Sequence, residues 1–192
     1  MVDLKEIARY MRMGRTVPDG ALAARVTELR DEALTTVRPA HIGRRFPIVE
    51  GNIVSGSARL ILAGTLARHL AGCRSAYLVC GTIGAGFDAF QRRVSATSGA
   101  DALIVQAIGA ALIEKLMDEV EAEIHRELQP NESLVSRYSP GYGDFPLAAQ
   151  RTILSLLDTP RKIGVSLTDT LLMVPSKSVS AIIGVKEEIP TT

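Results

Sequence analysis

The chain has 192 residues, 46% of them hydrophobic and 22% charged, with a net charge of +1. That length suits one compact domain with room for a small appendage, and needs no disulfide or metal to hold a core. Near-zero charge and an aromatic content of 4% with no tryptophan give no footing for nucleic acid, single-strand stacking or an anionic membrane surface. No apolar run approaches the roughly 20 residues of a bilayer span. The start, MVDLKEIARYM, interleaves charges at helical spacing rather than forming a signal peptide. The expectation is a cytoplasmic protein with Leu, Ile, Val and Ala in its core.

Residues 3–13 carry Leu4, Ile7, Ala8 and Met11 at helical spacing. Asp19 then precedes a second helix, with Leu22, Val26, Leu29 and Leu34 on one face and Pro39 marking its end. The segment RRFPIVEGNIV (44–54) reads as strand broken at Gly51–Asn52. Ser57 is placed to cap a helix over ARLILAGTLARHL, with Leu60, Ile61, Leu66 and Leu70 inward. AYLVCGTI (76–83) is a short apolar run read as a buried strand, and FDAFQRRVSAT a short helix. Cys73 and Cys80 flank that strand and are read as reduced thiols. Residues 101–129 form the longest element, with Ile104, Ile108, Leu112, Leu116, Val120, Ile124 and Leu128 recurring every four residues. This is an amphipathic helix about 40 Å long. Its acids, Glu114, Asp118, Glu119, Glu121 and Glu123, are read as a solvated face. Pro130 and Asn131 end it. A loop follows, then a helix over 147–157, then strand-like KIGVSL, TDTLLMVP and SVSAIIGV (178–185), and a tail, EEIPTT, expected to fray. This irregular alternation predicts an α+β fold: a mixed or antiparallel twisted sheet flanked by helices, one of them long and amphipathic, with a helical N-terminal extension. The division is 1–38 for the extension and 39–192 for the main domain.

Classical catalytic sets are missing. His41, His69 and His125 are scattered and show no zinc spacing. GAGFDA (84–89) fits the dinucleotide fingerprint and sits between a strand and a helix. The fingerprint also requires a second parallel strand, and a long helix follows instead. Asp101, at about the right separation for the ribose-binding acid, stands at a helix start where capping accounts for it. A nucleotide-dependent oxidoreductase using Gly84 and its neighbours stays open as one alternative. The plainer reading is a strand-to-helix turn that needs small residues for close packing.

Residues 137–146, RYSPGYGDFP, are the most informative stretch. They hold Tyr138, Tyr142 and Phe145, three of the eight aromatics of the chain. Pro140 fixes its own φ and restricts Ser139 to extended geometry. Gly141 can take positive φ and lets a ligand approach the backbone. Arg137 offers a planar fork of donors for a carboxylate, and the tyrosines offer faces for a heterocycle or a cation. A ligand with a carboxylate, an adenine and a sulfonium would use all of these. A Pro-Gly turn with tyrosines packed over the long helix explains the same residues without a ligand.

RYSPGYGDFPL resembles the signature of the activation domain of cobalamin-dependent methionine synthase, where an Arg-x-x-Pro-Gly-Tyr stretch lines the S-adenosylmethionine site. The likeness extends to the Gln150 helix, to KIGVSLTDTLLMVPSKSVSAIIGV (162–185) and to the turn Thr82-Ile83-Gly84, and spans roughly residues 40–186. It implies a stand-alone accessory protein, not a complete enzyme, that binds S-adenosylmethionine and supports reductive reactivation of a corrinoid protein. The cobalamin is carried by that partner, a methionine synthase subunit or another corrinoid protein. A flavodoxin-type donor supplies the electron. By the resemblance Arg137 is the candidate for the methionine carboxylate. Tyr138 belongs to the same stretch, and Ser139, Gly141 and Tyr142 match loop positions that meet the ligand. Val179 and Ser180 stand where full-length enzymes carry aromatic contacts, and an aspartate the family uses near the domain start has no counterpart before residue 60. No cobalamin-ligand motif is present. Those departures keep open a pure interaction module for a corrinoid methyltransferase.

Overall fold

The computed structural model describes residues 2–187. Its order is α1 (Leu4–Tyr10), α2 (Gly20–Thr36), β1 (Ala40–Val49), β2 (Asn52–Ser55), β3 (Ala58–Ile61), α3 (Gly64–His69), β4 (Cys73–Thr82), α4 (Ala85–Ser95) and α5 (Gly99–Glu127), then β5 (Glu132–Leu134), α6 (Ala149–Leu157), α7 (Thr159–Lys162), β6 (Ser166–Leu167), β7 (Met173–Val174) and β8 (Ser178–Glu187).

Ser75–Thr82 of β4 and Ser180–Val185 of β8 are buried without interruption. Strands with no polar face must lie in the middle of a covered sheet. β4 accordingly pairs with β1 on one side and β8 on the other, in a six-stranded antiparallel sheet ordered β3-β2-β1-β4-β8-β5; β6 and β7 form a separate two-stranded hairpin. Strand alternation sends side chains to two different packings. Val79, Ala181, Ile183 and Val185 meet Met117, Val120 and Ile124 of α5. Leu78, Cys80 and Ile182 meet Ile153, Leu154 and Leu157 of α6. The upper half of α5 packs Val105, Ile108 and Ala111 with Ile7 of α1, Val26 and Leu29 of α2 and Phe87 of α4. The two N-terminal helices thus share a core with α4 and α5. Gly109 of α5 makes this possible, because a Cβ there would press 2.5 Å from the Phe87 ring.

The sheet is wholly antiparallel, and the stretch after Ser57 is not one helix. Gly56 (φ 57°) and Ser57 close a two-residue hairpin, after which Ala58–Ile61 pairs with β2. Leu60 is buried and Ile61 exposed, the alternation of a strand. Leu62 and Ala63 separate β3 from the short α3, which opens at Gly64 (φ 55°). The turn near Gly51–Asn52 is formed by Glu50 and Gly51, both at positive φ, as a two-residue hairpin requires. The strand expected over 162–167 shrinks to Ser166–Leu167, since Lys162 ends α7. The part of the EEIPTT tail beyond Glu187 lies outside the described residues.

Candidate functional site

Past β5 the chain keeps tracking the edge of β8. Val135 N–H donates to Gly184 O at 2.9 Å, and Tyr138 and Ile182 exchange two bonds of 2.9 Å. Residues 135–138 are therefore extended, and Arg137 and Tyr138 leave the edge in opposite directions. A tight turn follows. Tyr142 N–H donates to Ser139 O at 3.2 Å, with Pro140 and Gly141 (φ 94°) in the middle. That is the type II pattern, in which proline pre-sets the first central residue and glycine supplies positive φ at the second. Gly141 N–H to Phe145 O (2.8 Å) and Phe145 N–H to Tyr142 O (3.0 Å) close the loop on itself. Pro140 and Phe145 are buried and anchor it. Little conformational freedom is left to lose on meeting a ligand.

Arg137 turns toward α5. Its Nη2 lies 2.7 Å from Asp118 Oδ1 and 3.3 Å from Glu114 Oε2, and its Nε lies 3.5 Å from Glu121 Oε2. Spacings of four and three residues put these acids on one helical face. Three carboxylates thus surround one guanidinium and leave the local field negative. Nη1 of Arg137 is buried and has no partner.

Tyr138 turns the other way. Its hydroxyl donates to Thr65 Oγ1 at 2.8 Å, and its ring lies 4.8 Å from the His69 ring and 6.2 Å from Phe145. His69 Nε2 donates to Ser136 O at 2.7 Å. Asp144 accepts the Thr65 N–H at 2.8 Å and the Thr65 hydroxyl. It caps α3 from 79 residues away, because Ala63, at the helix's own N-cap position, makes no side-chain cap bond. The Thr65 hydroxyl and amide, with Arg68 nearby, hold the Asp144 carboxyl below its usual range. Gly64 is needed here: a Cβ would overlap Asp144.

The structure therefore gathers Arg137, Tyr138, Ser139, Gly141 and Tyr142 on one loop and lays it beside β8. Tyr142 is the exposed ring, at 66%, while that of Tyr138 is engaged by His69 and Phe145. Val179 packs toward α5, and Ser180 is buried on the α6 side opposite Cys80 with its hydroxyl unpartnered. Sequence reasoning missed Thr65, His69 and Gly64, which no local pattern ties to the loop. The α5 acids read as a solvated face are exposed at Asp118, Glu119 and Glu123, but that reading did not foresee Arg137 across Glu114, Asp118 and Glu121. The spacing of Glu114, Asp118 and Glu121 was the available signal that a cation could lie across them.

GAGFDA serves packing. A Cβ on Gly86 would strike the Thr36 carbonyl oxygen at the end of α2, and one on Gly84 (φ 89°) would sit 2.9 Å from Arg38 O. The strands flanking β4 are antiparallel, so the parallel crevice of a dinucleotide fold is not formed. Asp101 is bound by Arg25 Nη2 at 2.6 Å, and Asp88 accepts from Ser176 N–H and Oγ at 2.8 and 2.6 Å. Among the described residues no cluster of His, Cys, Asp or Glu could hold a metal ion, and no helix is long and apolar enough to cross a membrane. His41 lies 3.0 Å from Glu123.

No curated protein matches the chain. The fold is that of a solved structure described as the MetH reactivation domain bound to AdoHcy: TM-score 0.66 at 19% identity, covering 100% of this chain and 76% of that one. The sequence of residues 75–189 matches the family described as vitamin B12 dependent methionine synthase, activation domain. That match takes in both central strands, the long helix and the whole Arg137–Pro146 loop, and the chain belongs to this family.

Proposed function

We propose that the chain is an S-adenosylmethionine-binding accessory protein that supports reductive methylation of a cobalamin-dependent methionine synthase or a related corrinoid protein. The observation that carries this reading is the self-closed Ser139–Phe145 loop, set on β8 beside the Arg137–Glu114–Asp118–Glu121 cluster, in a chain of this family. The site is proposed to comprise Arg137, Tyr138, Ser139, Gly141, Tyr142, Val179 and Ser180. The residues fit such a ligand chemically. The acids around Arg137 favour an ammonium or a sulfonium, and a ligand carboxylate reaches the guanidinium, whose Nη1 has no partner, by displacing one of them. Tyr142 offers an exposed ring for a heterocycle. S-Adenosylmethionine supplies the methyl group, and cobalamin enters on the partner. The chain contributes placement, presenting the donor to the corrinoid partner in a fixed pose and so reducing the entropic cost of their meeting. A flavodoxin-type electron donor, a cytoplasmic setting and the 1–38/39–192 division belong to the same proposal.

The test is calorimetric titration with S-adenosylmethionine, and S-adenosylhomocysteine for comparison. Loss of a charged hydrogen bond in Arg137→Ala weakens binding by about 10-fold to 100-fold, and Arg137→Lys recovers part of it. Unchanged affinity in the alanine variant removes Arg137 from the site. Absence of binding at millimolar ligand defeats the proposal for the isolated chain.

A further inference from the structure

Among the described residues the sheet ends on β3, which pairs with β2 alone. The two-residue loops at Glu50–Gly51 and Gly56–Ser57 fix which backbone groups face which way. Ser55 with Ala58 and Ile53 with Leu60 are the hydrogen-bonded pairs of the hairpin. The N–H and C=O groups of Arg59 and Ile61 therefore point outward, away from β2. Natural proteins usually blunt such an edge. This one carries Ile61, 70% exposed, and a single charge, Arg59.

Beside the edge lies a groove of about 400 Å³. Leu60, Phe145 and Ala149 form its apolar floor, and Pro146 and Gly64 contribute to its walls. Asp144 is the acid in its lining, and that carboxylate is already bound to Thr65. Arg59 on the edge is exposed and has no carboxylate partner among the described residues. A free strand edge, an apolar trough beside it and unpaired positive charge thus coincide in one place.

We propose that β3 and this groove dock an extended acidic segment of a partner protein by strand addition. The guest backbone bonds to Arg59 and Ile61. Its alternate side chains point into the trough over Leu60 and Phe145, and the carboxylates between them face Arg59. The surface shares Asp144 and Phe145 with the Ser139–Phe145 loop but contains none of the Arg137 carboxylate cluster, and it does not rest on the methyl-donor reading.

The probe is a capped heptapeptide alternating valine and glutamate, titrated into the ¹⁵N-labelled protein. The amides of Arg59 and Ile61 are expected to shift saturably and to gain protection from hydrogen exchange. Arg59→Glu, on an exposed side chain, is expected to lower affinity about fivefold or more, with binding weakened by salt. Ile61→Pro removes one outward N–H without touching the β2 ladder and abolishes binding. A valine–lysine heptapeptide that binds equally well overturns the proposal. So does an absence of shifts at these amides at millimolar peptide. Shifts that depend on protein concentration without peptide also overturn it, by showing that a second copy takes the edge.

Discussion

Tyr138→Phe removes one oxygen and leaves the ring between His69 and Phe145. What is lost is the 2.8 Å bond to Thr65 Oγ1, at a position neither fully buried nor exposed. A neutral hydrogen bond of this kind contributes about 1 kcal/mol net. In a protein of this size that is a fall in Tm of about 2–4 °C. Thr65→Val keeps the branched shape and removes the acceptor, along with the hydroxyl that Asp144 binds. The single variants are therefore unequal, with Thr65→Val the costlier. Their double variant should cost less than the sum, with a coupling of about 0.5–1 kcal/mol, measured by equilibrium urea unfolding of all four proteins. Costs that add to within about 0.3 kcal/mol would show that the two hydroxyls do not bond in solution. The idea that this bond ties the loop to α3 would then fail.

Gly86→Ala forces a Cβ against the Thr36 carbonyl and is expected to destabilise the fold by about 1–3 kcal/mol; a variant as stable as the parent would show that the α2–α4 contact yields freely. Burial pushes the Cys80 thiol up to about 12, so a disulfide reagent at neutral pH should leave it unmodified in the folded protein. Stoichiometric labelling of Cys80 without unfolding contradicts that burial. Asp144 and Glu132 have pKa values lowered in the folded state, Asp144 by Thr65 and Glu132 by Arg45. Their stabilisation is therefore complete above the ordinary carboxylate range, about pH 4, and is lost as pH falls through the lowered folded values. Asp144→Asn should flatten this acid limb in a pH series of thermal melts, and an unchanged limb counts against the Asp144–Thr65 contact.

Elements with a strong local signature were readable from the chain. The four-residue recurrence from Ile104 to Leu128 gave α5, and the unbroken apolar run around Tyr77–Cys80 gave the buried β4. Pro140 and Gly141 gave a turn whose backbone is the one their chemistry requires. The error at Ala58–His69 came from apolar residues that fit a helix as well as a strand. Pairing across the Gly56–Ser57 turn and the positive φ of Gly64 decided between them, and the former is a tertiary fact. The candidate site was half legible for the same reason. Arg137 to Tyr142 are contiguous, but the groups that hold them come from α5 and α3. Thr65 and Asp144 are 79 positions apart, and no periodicity spans that gap.

β8 lies between β4 and β5, and the Arg137 loop hangs on it through Tyr138 and Ile182. A ribosome making this protein exposes β4 well before β8 has been translated. The nascent chain then holds a strand apolar on both faces with one neighbour missing. Pairings so distant in sequence form slowly and leave surface open to aggregation meanwhile. The helices α4 and α5, made of local contacts, can cover one side of β4 during that interval. The loop must wait for Ser178–Glu187, so the candidate site is among the last parts of the molecule to exist.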